Sequence, residues 1–210
     1  MMQVCTKLAR AALLILAVLC SATTSAQETP FASLLEQRQS GVVIQKWDLS
    51  CGAAALATIL NFQHGESFSE REIAAMLIDR PEYLAHPWII RARHGFSLLD
   101  LKRVSERLGY RGIGLGGLSI EDLDQRAPII VPVDLSGYPH FVIYRGRSGD
   151  EVVLADPAYG MRTMPLKRFE QALMIDPELG HLGFTVLSHQ TQQGRAAAQL
   201  TNDQFLVAQP

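Results

Sequence analysis

Between Cys51 and Phe62 the chain reads CGAAALATILNF, an almost unbroken run of small and branched apolar residues. Ala54, Ala55, Thr58, Ile59 and Phe62 recur at helical spacing, with alanine and leucine filling the positions between. A helix that is apolar on nearly every side has no face to give to water, so the rest of the chain has to enclose it. That predicts a buried helix with Cys51 at its N-terminus.

Other helices announce themselves by their starts. Ser69-Glu70-Arg71-Glu72 is a capping box followed by Ile73, Met76 and Leu77 on one face, in a helix that should end before Pro81. Ser97, with Asp100 three residues on, opens a helix that aligns Leu98, Leu101, Val104 and Leu108 and stops at Gly109. Ser119 to Gln125 reads as a short capped helix and Leu166 to Leu173 as another. The strand signals come later: Arg111 to Leu115, Ile129 to Val133, the pair His140–Tyr144 and Glu151–Ala155 across a Gly146–Gly149 turn, and Phe184 to Leu187. Pro132 argues for a sheet edge or a bulge in the second of these. Val42-Val43-Ile44 reads as a short strand or extended entry. Helices first and antiparallel strands afterwards predict an α+β domain, its N-terminal helices packed on a C-terminal antiparallel sheet.

The first residues belong to targeting. Lys7 and Arg10 precede an apolar stretch from Ala11 to Cys20, and Thr24-Ser25-Ala26 suits cleavage, so residues 1–26 read as a secretory signal peptide. Its apolar stretch falls short of the roughly 20 residues that span a bilayer, and no later segment approaches them, which predicts no stable membrane insertion. Leu19, bulky where a lipoprotein cleavage site needs a small residue, argues against a lipid anchor on Cys20. Cleavage removes Cys5 and Cys20 and leaves Cys51 with no partner for an intramolecular disulfide. Without Lys7 and Arg10 the chain carries 17 basic and 21 acidic residues and no basic block, which speaks against nucleic acid as a partner. The histidines at 64, 86, 94, 181 and 189 are scattered, with no zinc-ligand spacing, and nothing calls for a cofactor. From Gln190 the Gln- and Ala-rich end reads as a flexible tail over residues 190–210.

A helix N-terminus carries partial positive charge and favours a thiolate, so Cys51 is placed as a nucleophile, although a buried structural thiol would suit the same apolar helix. With its turn centred near Ser148, the hairpin pairs Arg145 with Glu151 and His140 with Asp156, whose Cβ atoms would then lie about 4.5–5.5 Å apart. Asp156 could hold one ring nitrogen of His140 while the other faces Cys51, the arrangement of nucleophile, base and orienter. A one-residue slip would undo it. Read separately, His140 serves equally as a strand end, and Asp156-Pro157 is an ordinary turn starter. Gln45, six residues before Cys51, can loop back to offer its amide to an oxyanion, or remain a solvated loop residue. Trp47, Trp88, Tyr138 and Tyr159 flank these segments as groove-lining or packing residues.

Taken together, Gln45-Lys-Trp-Asp-Leu-Ser-Cys51-Gly52, His140-Phe-Val-Ile-Tyr and Leu-Ala-Asp156-Pro157 resemble the motifs of cysteine peptidase family thirty-nine. These are papain-like enzymes that cut double-glycine leader peptides from bacteriocins. The resemblance runs from about Gln45 to Leu187 and implies a papain-like peptidase domain over residues 45–189, after an N-terminal extension at 27–44. It implies that Cys51 is the nucleophile, His140 the general base, Asp156 its orienter and Gln45 the oxyanion-hole donor. Ser50 stands where the family usually carries an acidic residue. The signal peptide and the lack of a fused transporter resemble the stand-alone periplasmic members of Fap-type functional-amyloid secretion systems, as do Tyr-Leu-Ala at 83–85, Gly-Phe-Ser-Leu-Leu-Asp-Leu-Lys at 95–102 and Gly-Tyr-Pro-His at 137–140. The implied function is a periplasmic cysteine endopeptidase that processes or regulates components of amyloid or peptide export. Its partners would be peptide or protein substrates such as amyloid subunits or export-machinery proteins. Two other readings stay open: a binding module that holds export substrates without cutting, and an acyl transferase or amidase using the same nucleophile.

Overall fold

In the computed structural model, residues 33–135 and 137–188 are described. The signal peptide and the C-terminal tail expected from the sequence fall outside them. The helical half comes first: α1 (Leu34–Gln39), α2 (Cys51–His64), α3 (Glu70–Ile78), α4 (Pro81–Ala85), α5 (Trp88–Ala92) and α6 (Leu98–Arg107). The sheet half follows with β1 (Tyr110–Leu115), α7 (Ile120–Arg126), β2 (Ile129–Asp134), β3 (Pro139–Ser148), β4 (Glu151–Asp156), β5 (Gly160–Pro165), α8 (Leu166–Ala172), β6 (Ile175–Asp176), β7 (Gly180–His181) and β8 (Gly183–Ser188). Six strands form one sheet in the order β1-β8-β2-β3-β4-β5, and β6 and β7 make a separate two-stranded ribbon. The fold is therefore α+β, as its sequence order predicts. None of the described helices is long and apolar enough to cross a membrane.

Every residue of α2 from Cys51 to Leu60 is buried. Leu56, Ile59 and Leu60 share one core with Leu98, Leu101 and Val104 of α6, Ile73 and Leu77 of α3, and Phe141 and Ile143 of β3. The opposite face of the sheet has a second core, in which Val131, Val142, Tyr144, Leu154 and Phe169 meet. Gly65, at φ +76°, ends α2 by donating to the Asn61 and Leu60 carbonyls. Phe62, placed by its spacing on the buried helix, is instead 54% exposed, because the enclosing elements stop covering α2 after Leu60.

Three capping boxes open their helices as the sequence predicts, with Ser69, Ser97 and Ser119 each accepting from the amide three residues on. Asp100, the partner of Ser97, is itself buried, and its carboxylate also accepts from the Tyr83 hydroxyl and pairs with Arg80, which ties α4 to α6.

Residues 34–39 form a capped helix, and of the two readings of 42–44 the strand is not found, since 43–46 join no strand. Two readings need correction. Pro132 lies in an interior strand, between β8 and β3. The reason is local: β2 forms a ladder pair with β8 only at Ile130↔Phe184, so no ladder partner calls for an N–H at Pro132, and its carbonyl accepts from Met174 N–H at 3.1 Å. The β3–β4 register also differs, because the turn is Gly149-Asp150 and pairs Ser148 with Glu151.

Enclosure of α2 yields a direct test. Leu56→Ala should cost about 2–5 kcal/mol in urea unfolding, as expected for a fully buried leucine that leaves a cavity. Phe62→Ala, at the exposed end of the same helix, should cost less than about 1 kcal/mol.

Candidate active site

Cys51 is the first residue of α2 and is buried, with 3% of its surface exposed. Gly52 explains how close the helix comes to the sheet: a Cβ there would lie 3.3 Å from the ring of Phe141 and 3.5 Å from Leu101. Phe141 is the residue after His140. The lack of a side chain at 52 thus lets the start of α2 settle beside the start of β3.

His140 reaches Asp156 through a β-bulge. Near the turn, β3 and β4 pair Gly146 with Val153, and beyond the bulge they pair Tyr144 with Leu154 and Ile143 with Ala155. Arg145 is the extra residue. Had the register near the turn continued, Asp156 would face Ile143, on the opposite face of the sheet from His140. With the bulge it falls in line with Val142, two residues from His140 and on the same face. The two are diagonal neighbours and not directly opposed, a separation that a histidine and an aspartate can bridge. His140 Nε2 lies 2.8 Å from Asp156 Oδ1.

The Asp156 carboxylate is completely buried and fully engaged. Oδ1 also accepts from the Ala158 N–H at 2.9 Å, and Oδ2 accepts from Arg162 at 3.3 Å. Burial pushes its pKa up, but the hydrogen bond and charge of His140, the Ala158 amide and Arg162 together hold it below the ordinary carboxylate value. For His140, burial works against the charged ring and is outweighed by the hydrogen bond to Asp156 and by interaction with the Cys51 sulfur, which raise its pKa to about 9. Because Nε2 is committed to Asp156, the interaction with Cys51 falls to Nδ1.

Gln45 is joined to this centre through its backbone, its N–H donating to the Pro157 carbonyl at 2.8 Å. Its side-chain Nε2 donates to the Trp47 carbonyl at 3.2 Å, while Oε1 is buried without a partner. Ser50, at the N-cap of α2, makes no side-chain bond to the first-turn amides; its hydroxyl is directed at Glu70. The N-terminal amides behind Cys51 are therefore not occupied by a capping side chain.

Of the four flanking aromatics, Trp47, Trp88, Tyr138 and Tyr159 are 45–64% exposed, so none is a core residue. Trp47 lines an apolar groove of about 400 Å³ with Leu49, Ser50, Ala74, Ile78, Ile90 and Phe96, which reaches the residue before Cys51. The Tyr138 ring centroid is 6.5 Å from that of His140. Arg162 and Glu70 gave no local signal in the sequence, because each reaches the site from an element whose approach only the folded topology determines.

The chain has been compared with known proteins. A model of the Peptidase C39 family matches residues 39–173. The probable functional amyloid protease FapD of Pseudomonas aeruginosa is 38% identical over 139 residues, 65% of this chain and 58% of that protein. Its counterpart in Pseudomonas fluorescens is 36% identical over 133 residues, 63% and 56% of the two chains. The match thus spans less than two thirds of the length of these relatives. Two solved structures share the fold. One is a double glycine motif protease from an AMS/PCAT transporter, in complex with the leader peptide (TM-score 0.53, 19% identity, 70% of this chain and 90% of that one). The other is the peptidase domain of Streptococcus ComA (TM-score 0.54, 17% identity, 70% and 98%).

The paired shifts fix how stability should vary with pH. A folded value raised to about 9 makes the His140 contribution full below the unfolded histidine value near 6.5 and lost as pH rises through about 9. A lowered Asp156 value makes its contribution present above the unfolded carboxylate value and lost as pH falls through the folded one. Asp156→Asn should lower the His140 value, read from its imidazole proton shifts, and flatten the fall in thermal stability on the alkaline side.

Proposed function

The chain belongs to the Peptidase C39 family, and on that premise we propose that it is a cysteine endopeptidase working through Cys51, His140 and Asp156. The observation that carries the reading is the buried His140 Nε2–Asp156 Oδ1 pair at 2.8 Å, whose other ring nitrogen is left for the sulfur that begins α2. At neutral pH His140 is then an imidazolium, set beside the sulfur that opens α2.

The sulfur attacks the scissile carbonyl carbon, forming a C–S bond while the carbonyl oxygen takes up the negative charge. The Cys51 N–H and the Gln45 amide receive that oxygen. Collapse of the intermediate breaks the C–N bond as His140 gives its proton to the leaving amine. Water then gives one proton to His140 and attacks the acyl carbon; the C–S bond breaks, the sulfur of Cys51 is freed, and the carboxylic acid released loses its proton to solvent. Asp156 holds the ring orientation throughout, and the Ala158 amide and Arg162 hold Asp156.

The substrate is an extended peptide, supported by the apolar groove that reaches Ser50, the residue before Cys51, and by the leader-peptide complex of the double glycine protease. The two FapD relatives support a role in functional-amyloid export. The signal-like N-terminus supports action in the periplasm.

Residues 27–210 incubated with candidate amyloid subunits should yield defined fragments by mass spectrometry, and Cys51→Ala should yield none. Intact subunits with wild type, bound but uncut, would replace the peptidase with a binding module. His140→Ala should lower the cleavage rate by roughly 10³-fold or more. The wild-type rate should fall on the alkaline side as pH passes about 9, where the ring loses the proton it gives to the leaving amine.

A further inference from the structure

Glu70 is a charged residue that the mechanism above does not use, yet only 3% of its surface is exposed. It is the first residue of α3, and the capping of that helix is carried by Ser69 and Glu72, not by Glu70. Its carboxylate turns instead to the segment that joins Gln45 to Cys51. The Lys46 N–H donates to both oxygens, at 2.9 Å to Oε1 and 3.0 Å to Oε2, and the Trp47 N–H reaches Oε1 at 3.4 Å. The Ser50 hydroxyl also donates to Oε1 and lies 2.6 Å from the Trp47 carbonyl. One buried carboxylate therefore holds three of the five residues between Gln45 and Cys51.

That segment is one that needs holding. Leu49 has φ +67°, a left-handed conformation that costs a branched residue energy and persists only when the surroundings enforce it. On the other side of the segment Gly95, at φ +130°, approaches so closely that a Cβ would lie 3.0 Å from the Leu49 carbonyl oxygen. The turn is thus gripped from α3 by Glu70 and from the start of the α6 segment by the backbone at Gly95. Engaging Ser50 has a second effect. An N-cap serine ordinarily accepts from the second or third amide of its helix, but here the hydroxyl is drawn to Glu70 and leaves those amides beside the Cys51 sulfur uncapped.

We propose that Glu70, acting through Ser50 and the Lys46 and Trp47 amides, is the positioning residue of the oxyanion hole: it fixes the Gln45 amide relative to the Cys51 N–H, the two donors that receive the developing negative charge. This rests on the cysteine-peptidase reading and adds a residue to it. Glu70 touches no reacting atom, so its loss should affect the stabilisation of an oxyanion and leave the sulfur's own reactivity alone. Glu70→Gln suits the test, since the amide keeps the shape but sets an NH₂ group against an N–H that the carboxylate accepts.

Two probes separate the effects on residues 27–210. Iodoacetamide alkylates Cys51 by displacing iodide and develops no oxyanion. A glycine-terminated peptide aldehyde, acetyl-Leu-Gly-glycinal, is attacked by the sulfur at its carbonyl carbon, and the oxygen of the resulting hemithioacetal takes the place of the oxyanion. In Glu70→Gln the alkylation rate should stay within about twofold of wild type while aldehyde affinity falls about tenfold or more, in the direction of the losses seen when oxyanion donors are removed. Ser50→Ala, which removes one arm of the clamp, should show the same split to a smaller degree. Equal losses with both probes, or no loss with either, would overturn the role of Glu70. If wild type itself forms no hemithioacetal, the peptidase reading fails first, so the two failures are distinguishable.

Discussion

A helix without a polar face must be surrounded, and the enclosure of α2 governs the rest of this structure. Helices α3 and α6 cover it on one side and strand β3 on the other, with Leu56, Ile59 and Leu60 at less than about 2% exposure among them. Burial of that extent supplies much of the apolar driving force for the domain. It also has a chemical result. The N-terminal end of α2 lies inside the protein, so the partial charge of its amides acts on Cys51 in a medium that screens it poorly. Gly52 brings the same end of the helix against Phe141 and so against the histidine that precedes it.

The His140–Asp156 pair depends on a defect in the sheet. A regular hairpin with a Gly149-Asp150 turn would direct the two side chains to opposite faces. Arg145, inserted as an extra residue and followed by Gly146 at φ +124°, restores them to one face. The bulge lies several residues from His140, yet it decides whether Asp156 can reach that ring. Local irregularity in strands beside active sites often has this kind of geometric purpose.

What could be read from the sequence divides along the range of the interactions. Capping boxes at Ser69, Ser97 and Ser119 are completed within four residues, and each helix starts where they imply. Cys51 at a helix start, and His140 and Asp156 on facing strands, follow from patterns of similar reach. The hairpin register was less accessible, because Gly146 reads equally as part of a turn or as a bulge within a strand. Strand β5, Gly-Met-Arg-Thr-Met-Pro at 160–165, lacks the β-branched alternation that marks a strand and owes its place to pairing with β4. The five-residue helices α4 and α5 offer too few turns for a periodic signal. Glu70 was visible only as part of a capping box, since its partners at 46, 47 and 50 lie 20 or more residues away in sequence.

This distance in sequence clarifies the serine at position 50. A residue directly before Cys51 can act on the turn that leads into α2 only through its own side chain, and a serine brings no charge. Here the charge comes from Glu70, and the serine hydroxyl joins it to the turn. Separating the two functions has a structural consequence, because the carboxylate now belongs to α3, which also forms the wall of the apolar groove through Ala74 and Ile78. Any movement of α3 that accompanies filling of the groove is therefore transmitted to Lys46, Trp47 and Ser50 by hydrogen bonds to a single buried group. On the proposed reading, groove and oxyanion hole would share α3, whose Glu70 holds the turn that carries the strained Leu49.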